Sequence, residues 1–141
     1  MREIKFRGKA IMSIEELELM GIEHDNGWVY GNLIKNGNRP MITADILEEI
    51  DESIYPEWWV VVEPKSVGQY TGLKDKNGRE IYEGDIVRHA TDEGVYKVIF
   101  EDGGFYVKNL FEYDFQTINE YPLEIIGNIF EHKDLLEEVD K

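Results

Sequence analysis

The sequence predicts a mainly β fold, a single domain of short antiparallel strands that includes an SH3-like barrel-type portion. Three observations lead there. β-Prone runs recur at about 8–12-residue spacing, each closed by a glycine-containing turn. Asn-Gly pairs stand at 26–27, 36–37 and 77–78, where a tight turn needs left-handed backbone. The run Trp58-Trp59-Val60-Val61-Val62 combines the aromatic and β-branched residues that fit a pleated surface. With 141 residues, 42% of them hydrophobic and 12% aromatic, the chain has the material for one packed core. The expected parts are an N-terminal β part with a short helix (1–64), a barrel-type part (65–131) and an acidic tail (132–141).

Element by element, Arg2-Glu3-Ile4-Lys5-Phe6-Arg7-Gly8 alternates apolar and charged residues, the period of a half-buried strand. Ser13 and Glu16 have the spacing of a capping box, and Leu17, Met20 and Gly21 mark a helix of two turns at most. A turn over 24–27 leads into a strand from Trp28 to Ile34, and a second turn at 35–38 returns the chain through Met41-Ile42-Thr43. Residues 44–54 are open between two readings, since Ile46, Leu47 and Ile50 fit a helical face and an edge strand is the alternative. The 58–62 run has apolar residues at every position, so both of its faces are expected to be largely covered. In 67–87, a turn at Lys74-Asp75-Lys76-Asn77-Gly78-Arg79 and a corner at Gly84-Asp85 build a compact double bend. Strands follow at 85–90, 95–100 and 105–107, and another at 123–130 carries Gly127 as a bulge. A short acidic helix ends the chain.

The formal net charge is −15, unevenly spread. Residues 41–64 hold seven acids and no base, and residues 101–141 hold eleven acids and three bases, whereas 1–40 and 65–100 are each balanced. Such a surface repels a phosphate backbone, so nucleic acid is disfavoured as a partner. It suits a basic protein partner, or imitation of nucleic acid itself. The absence of cysteine removes disulfides and thiolate metal sites and fits a reducing cytoplasm. No membrane span or signal peptide is expected.

Chemistry-bearing patterns are sparse. His24, His89 and His132 stand far from one another in sequence, so no metal site is expected. Glu83 and Asp85 flank Gly84 and form the best carboxylate pair, but the reading preferred is a solvated Glu83 and an Asp85 that accepts hydrogen bonds from nearby amides. No nucleophile elbow, phosphate loop or dinucleotide fingerprint occurs. No catalytic residue and no cofactor are therefore expected, and the chain reads as a non-enzyme. For binding, Arg7, Lys74, Lys76 and Arg79 are the candidates, because clustered bases are unusual on so acidic a chain. With the rest of segments 2–9 and 74–79 they also supply the alternative, a nucleic-acid-binding module with interleaved aromatics.

Several motifs carry a resemblance over nearly the whole chain: Arg2-Glu3-Ile4-Lys5-Phe6-Arg7-Gly8-Lys9, Trp28-Val29-Tyr30-Gly31, Val67-Gly68-Gln69-Tyr70-Thr71-Gly72-Leu73, Asp75-Lys76-Asn77-Gly78, Ile81-Tyr82-Glu83-Gly84-Asp85-Ile86-Val87 and Ile126-Gly127-Asn128-Ile129. Together they resemble the YopX family. The resemblance implies a phage or prophage origin and a mainly β fold, and it brings no catalytic residue onto this chain. The functional expectation is a phage accessory protein, non-enzymatic, that binds or scaffolds a host or phage protein in the bacterial cytoplasm, with self-association as a further option. The turn chemistry is directly testable: Gly78→Val, which puts a β-branched side chain on left-handed backbone, is expected to cost about 1–3 kcal/mol in urea denaturation.

Overall fold

A computed structural model of the chain describes residues 4–44, 46–50, 53–56, 58–89, 94–109, 115–117 and 123–132. The strand pairings are all antiparallel, which bears out the mainly β expectation. Two compact units divide the chain, one spanning Glu3–Gln69 and the other beginning at Tyr70.

The N-terminal unit holds a curled sheet and a separate two-stranded sheet of Ile46–Ile50 and Ser53–Pro56. The unit's strands are β1 (Phe6–Lys9), β2 (Trp28–Ile34), β3 (Met41–Thr43), β4 (Ile46–Ile50), β5 (Ser53–Pro56) and β6 (Trp59–Val61). β6, β3, β2 and β1 are hydrogen-bonded neighbours in that order. The first residues of β7 (Gly68–Lys74) continue beyond β1, with Gln69 opposite Phe6 and Gly68 opposite Arg7. The far edge returns to its start. Ala10 bridges Val62, the Ile11 amide donates to the Val61 carbonyl at 3.0 Å, and the Glu63 amide donates to the Lys9 carbonyl at 2.9 Å. Inside lie Leu17, Ile22, Val29, Ile42, Val60 and Val62, with Phe6, Ala10, Met12, Leu33, Trp58 and Val67 packed against them. Each fully buried aliphatic contributes roughly 1.5–3 kcal/mol.

Helix α1 (Ile14–Leu19) is the short capped helix that the sequence signals. Glu16 N–H donates to Ser13 Oγ at 3.1 Å, and Ser13 N–H donates to Glu16 Oε1 at 3.4 Å. Two orphan amides are thereby satisfied, and the helix delivers Leu17 into the core, where it is fully buried.

The structure decides the open segment. β4 and β5 pair antiparallel with Ile50 opposite Ser53, so Ile46–Ile50 is a strand and not a helix. The spacing of Ile46, Leu47 and Ile50 is ambiguous over so short a run, and pairing with the adjacent Ser53-Ile54-Tyr55 overrides it. A second expectation also fails. Val60 and Val62 are buried, but Trp59 is 59% exposed, so the 58–62 run is covered on one face only. Alternation along the strand turns Trp59 and Val61 outward while their neighbours fill the core.

The C-terminal unit starts with the rest of β7, which pairs with β8 (Glu80–Tyr82), Tyr70 opposite Tyr82 and Lys74 opposite Glu80. Then come β9 (Asp85–His89), β10 (Val95–Glu101), β11 (Gly104–Asn109), β12 (Phe115–Thr117) and β13 (Leu123–Asn128). They form one sheet in the order β12-β11-β10-β9-β13. Its core holds Ile81, Val87, Tyr96, Val98, Val107 and Leu123, joined by Leu73 and Ile125. The bulge expected at Gly127 is present, as the register of β13 against β9 shifts between Ile125 and Gly127. Gly78 has φ +84°, the left-handed backbone expected of the turn. The acidic tail helix falls beyond residue 132 and so outside the described residues, as does Ala90 at the end of its expected strand.

The close approach of β2 and β3 requires glycine at position 31. A Cβ there would overlap the carbonyl oxygen of Thr43 on the neighbouring strand, and backbone cannot step aside as a flexible side chain would. Gly31→Ala is therefore expected to destabilise by about 3 kcal/mol or more, seen as a lowered urea midpoint with an unchanged m-value.

Candidate functional site

Of the candidate bases, Arg7 belongs to the N-terminal unit and Lys74, Lys76 and Arg79 to the C-terminal one. Arg7 is only 8% exposed, and its guanidinium carbon lies 4.8 Å from the centre of the Trp28 ring. Lys9 approaches the same ring at 5.8 Å, and its Nζ donates to the Asn26 carbonyl at 2.6 Å. These two cations therefore clasp an aromatic ring of their own unit. Lys74 and Arg79 are exposed on the β7–β8 hairpin. Lys76 pairs with Glu124 on β13, Nζ to Oε2 at 2.6 Å, and its hydrogen bond and charge hold the Glu124 carboxyl below its ordinary range.

What gathers at this hairpin is an anchor centred on Asp75, which sequence reasoning treats as one more solvated turn residue. Asp75 is 6% exposed. Its Oδ1 accepts from the amides of Asn77 and Arg79, each at 2.9 Å. Its Oδ2 accepts from the amide of Ile125 at 3.1 Å. Beside it the Lys76 amide donates to the Leu123 carbonyl at 2.8 Å. Burial alone raises the carboxyl's pKa, but the amides of Arg79, Ile125 and Asn77, with the Arg79 charge, outweigh it and hold the group below its ordinary value.

The other chemistry-bearing groups also serve the backbone. Asp85 is buried, and its Oδ2 accepts from the Tyr82 amide at 2.7 Å. The intervening residues form a turn, Gly84 having φ +94°, so Glu83 and Asp85 do not share the face of an extended segment. Nδ1 of His24 accepts from the Gly27 amide and Nδ1 of His132 from the Asn128 amide, both at 3.0 Å. His89 is buried with its ring edge-on to Tyr96 at 6.3 Å. Among the described residues no group of three or more metal-ligating side chains converges, and no helix is long and apolar enough to cross a membrane.

A second feature is an apolar row on the outer face of the N-terminal sheet. Ile34 on β2 stands opposite Met41 on β3, and Met41 opposite Val61 on β6. The Ala10–Val62 bridge and the bond from the Ile11 amide to the Val61 carbonyl place Ile11 opposite Val61 in turn. Four apolar side chains thus line up across four strand segments. Ile11 is 56% and Ile34 44% exposed, and Met41 and Val61 are half-buried. Trp59 extends the row along β6. The residues that alternate with these, Val29, Ile42, Val60 and Val62, fill the core, so the row cannot turn inward. The sequence holds a signal for it, two apolar sets interleaved in 58–62, but choosing which set is exposed requires knowing that the sheet curls.

A family model described as YopX protein matches residues 5–137. The chain belongs to the YopX family. No curated protein matches it. The match covers both the Asp75 anchor and the outer row of this YopX-family chain.

Asp75 sets a pH dependence. Its folded carboxyl titrates below the ordinary value of 3.8, so its contribution to stability is complete well above that value and is lost as pH falls below about 4. Asp75→Asn offers an NH₂ group where the Ile125 amide needs an acceptor. The substitution is expected to cost about 1.5–3 kcal/mol at pH 7 in urea denaturation, and the gap from the parent protein is expected to narrow below about pH 4.

Proposed function

We propose that this protein is a non-enzymatic binding or scaffolding protein of phage or prophage origin, acting in the bacterial cytoplasm on a protein partner. The observation that carries the reading is the outer apolar row. A half-exposed tryptophan beside four aligned aliphatic side chains is a poor surface to leave in water and a good one to bury against another protein, and tryptophan is enriched among residues that dominate binding energy. The engagement of Asp75, Asp85, His24 and His132 with backbone amides supports the same reading, because each has a structural task. Contact with nucleic acid through segments 2–9 and 74–79 has less support, since Arg7 and Lys9 are committed to Trp28 and Asn26, and Lys76 to Glu124.

The test compares the parent protein with an Ile34→Thr/Trp59→Thr/Val61→Thr variant, all three positions facing outward. Immobilised parent protein is expected to retain from a bacterial lysate a protein that the variant does not, while the two melt within a few degrees of each other. Retention that is the same for both would reject the row as the binding surface. A turnover abolished by Asp85→Asn in a folded protein would reject the non-enzymatic reading.

A further inference from the structure

The Asn-Gly pairs at 26–27, 36–37 and 77–78 share a latent chemistry that the fold treats unequally. We infer that Asn36 is a site of spontaneous modification, deamidating through a cyclic imide, and that the structure spares Asn26 and Asn77. The inference is independent of what the outer row binds. The step needs only water. Hydroxide takes the proton of the glycine amide, and the freed nitrogen attacks Cγ of the preceding asparagine. A new C–N bond forms, the bond to the side-chain nitrogen breaks, and that nitrogen leaves as ammonia with a proton from water. Water then opens the imide at either carbonyl. One product is aspartate, and the other is isoaspartate, whose main chain runs through Cγ. Glycine favours the attack because it adds no side chain and leaves the backbone free to turn.

What separates the three sites is the nucleophile. Gly27 is buried, and its amide donates to Nδ1 of His24 at 3.0 Å. The Gly78 amide donates to the Asp75 carbonyl at 3.0 Å, and the Asn77 amide to Oδ1 of Asp75 at 2.9 Å. Such an amide must give up its hydrogen bond before it loses its proton, and a turn so held resists the rotation that carries nitrogen onto Cγ. Among the described residues the Gly37 amide has no hydrogen-bond acceptor. Asn36, Gly37 and Asn38 are exposed, and nothing lies within 4 Å of where a Cβ on Gly37 would stand, so this turn has room to rearrange. The bond that closes it, from the Arg39 amide to the Asn36 carbonyl at 3.0 Å, leaves the nucleophile unengaged. Lys35 and Arg39, both exposed beside the pair, favour the negative charge that develops on nitrogen and on the Cγ oxygen. The product sets a carboxylate between these two bases. Its isoaspartyl form also adds an atom to the main chain joining β2 to β3, whose register puts Ile34 opposite Met41. Charge and strand spacing at this end of the sheet thus change with the age of the protein.

The test incubates the full chain in mildly alkaline buffer, folded and, in parallel, unfolded in urea. Digested samples taken over time are read by mass spectrometry with separation of aspartyl from isoaspartyl peptides. In the folded protein Asn36 is expected to convert about tenfold or more faster than Asn26 or Asn77, to a mixture of both products. Unfolding is expected to bring the three rates together by speeding Asn26 and Asn77. Gly37→Ala is expected to slow conversion at position 36 by about tenfold or more. Folded rates that are alike at the three sites, or faster at Asn26 or Asn77, would overturn the inference. Conversion of Asn36 to aspartate alone, or at a rate that Gly37→Ala leaves unchanged, would overturn the imide route.

Discussion

Backbone amides from two stretches of chain, one next to Asp75 and the other fifty residues beyond it, converge on its carboxylate. One oxygen closes the β7–β8 turn by accepting from Asn77 and Arg79, and the other reaches Ile125 on β13. An ionised carboxylate suits this place because it is an acceptor only, and the bonds it takes from amides are stronger than those between neutral groups. The turn is thereby held rigid and tied to the strand that lies beside β9 in the five-stranded sheet. Leu73 and Ile81 flank the turn and both belong to the C-terminal core, as do Leu123 and Ile125. A polar anchor and an apolar cluster thus fix the same pair of elements, and each limits the freedom the other would have to overcome.

The local features of this arrangement were legible in the sequence. Asn77-Gly78 announces its left-handed turn, Gly127 its bulge and Ser13 with Glu16 their cap, since each depends on neighbours within four residues. Asp75 was not legible as an anchor. In sequence it is one acid among bases in a turn, the composition of a solvated loop, and its burial depends on β13 arriving from far along the chain. Arg7 is similar. On an alternating strand it reads as an exposed base, but β1 pairs with β2 so that Lys9 stands opposite Trp28 and Arg7 opposite Tyr30, which places both cations beside the Trp28 ring. Residue type identified what these side chains can do, and strand pairing decided what they meet.

The outer row shows the same division from the other side. Trp58 through Val62 is recognisable as a strand from β-propensity alone. Which of its faces is wet depends on how the sheet closes around Val29, Ile42 and Val62, and Gly31 lets two of its strands approach closely. A run that is apolar throughout reads as covered on both sides, as it would be in the middle of a layered sheet. In a small curled sheet the inside is filled by one set of side chains, and the other set is left to the surface.

The return of β6 to the end of β1 has a consequence for how this protein meets others. The Ile11 amide already occupies the Val61 carbonyl, and the Glu63 amide the Lys9 carbonyl. A sheet whose last strand is stitched to its first offers a visitor little unsatisfied main chain there, so adding a foreign strand at that seam is blocked. The same seam guards against the edge-to-edge stacking that β-rich chains risk at high concentration. Recognition at this end of the molecule must then be read from side chains standing on the sheet, and substitutions on that face can redirect it without unpicking the hydrogen bonds that hold the sheet together.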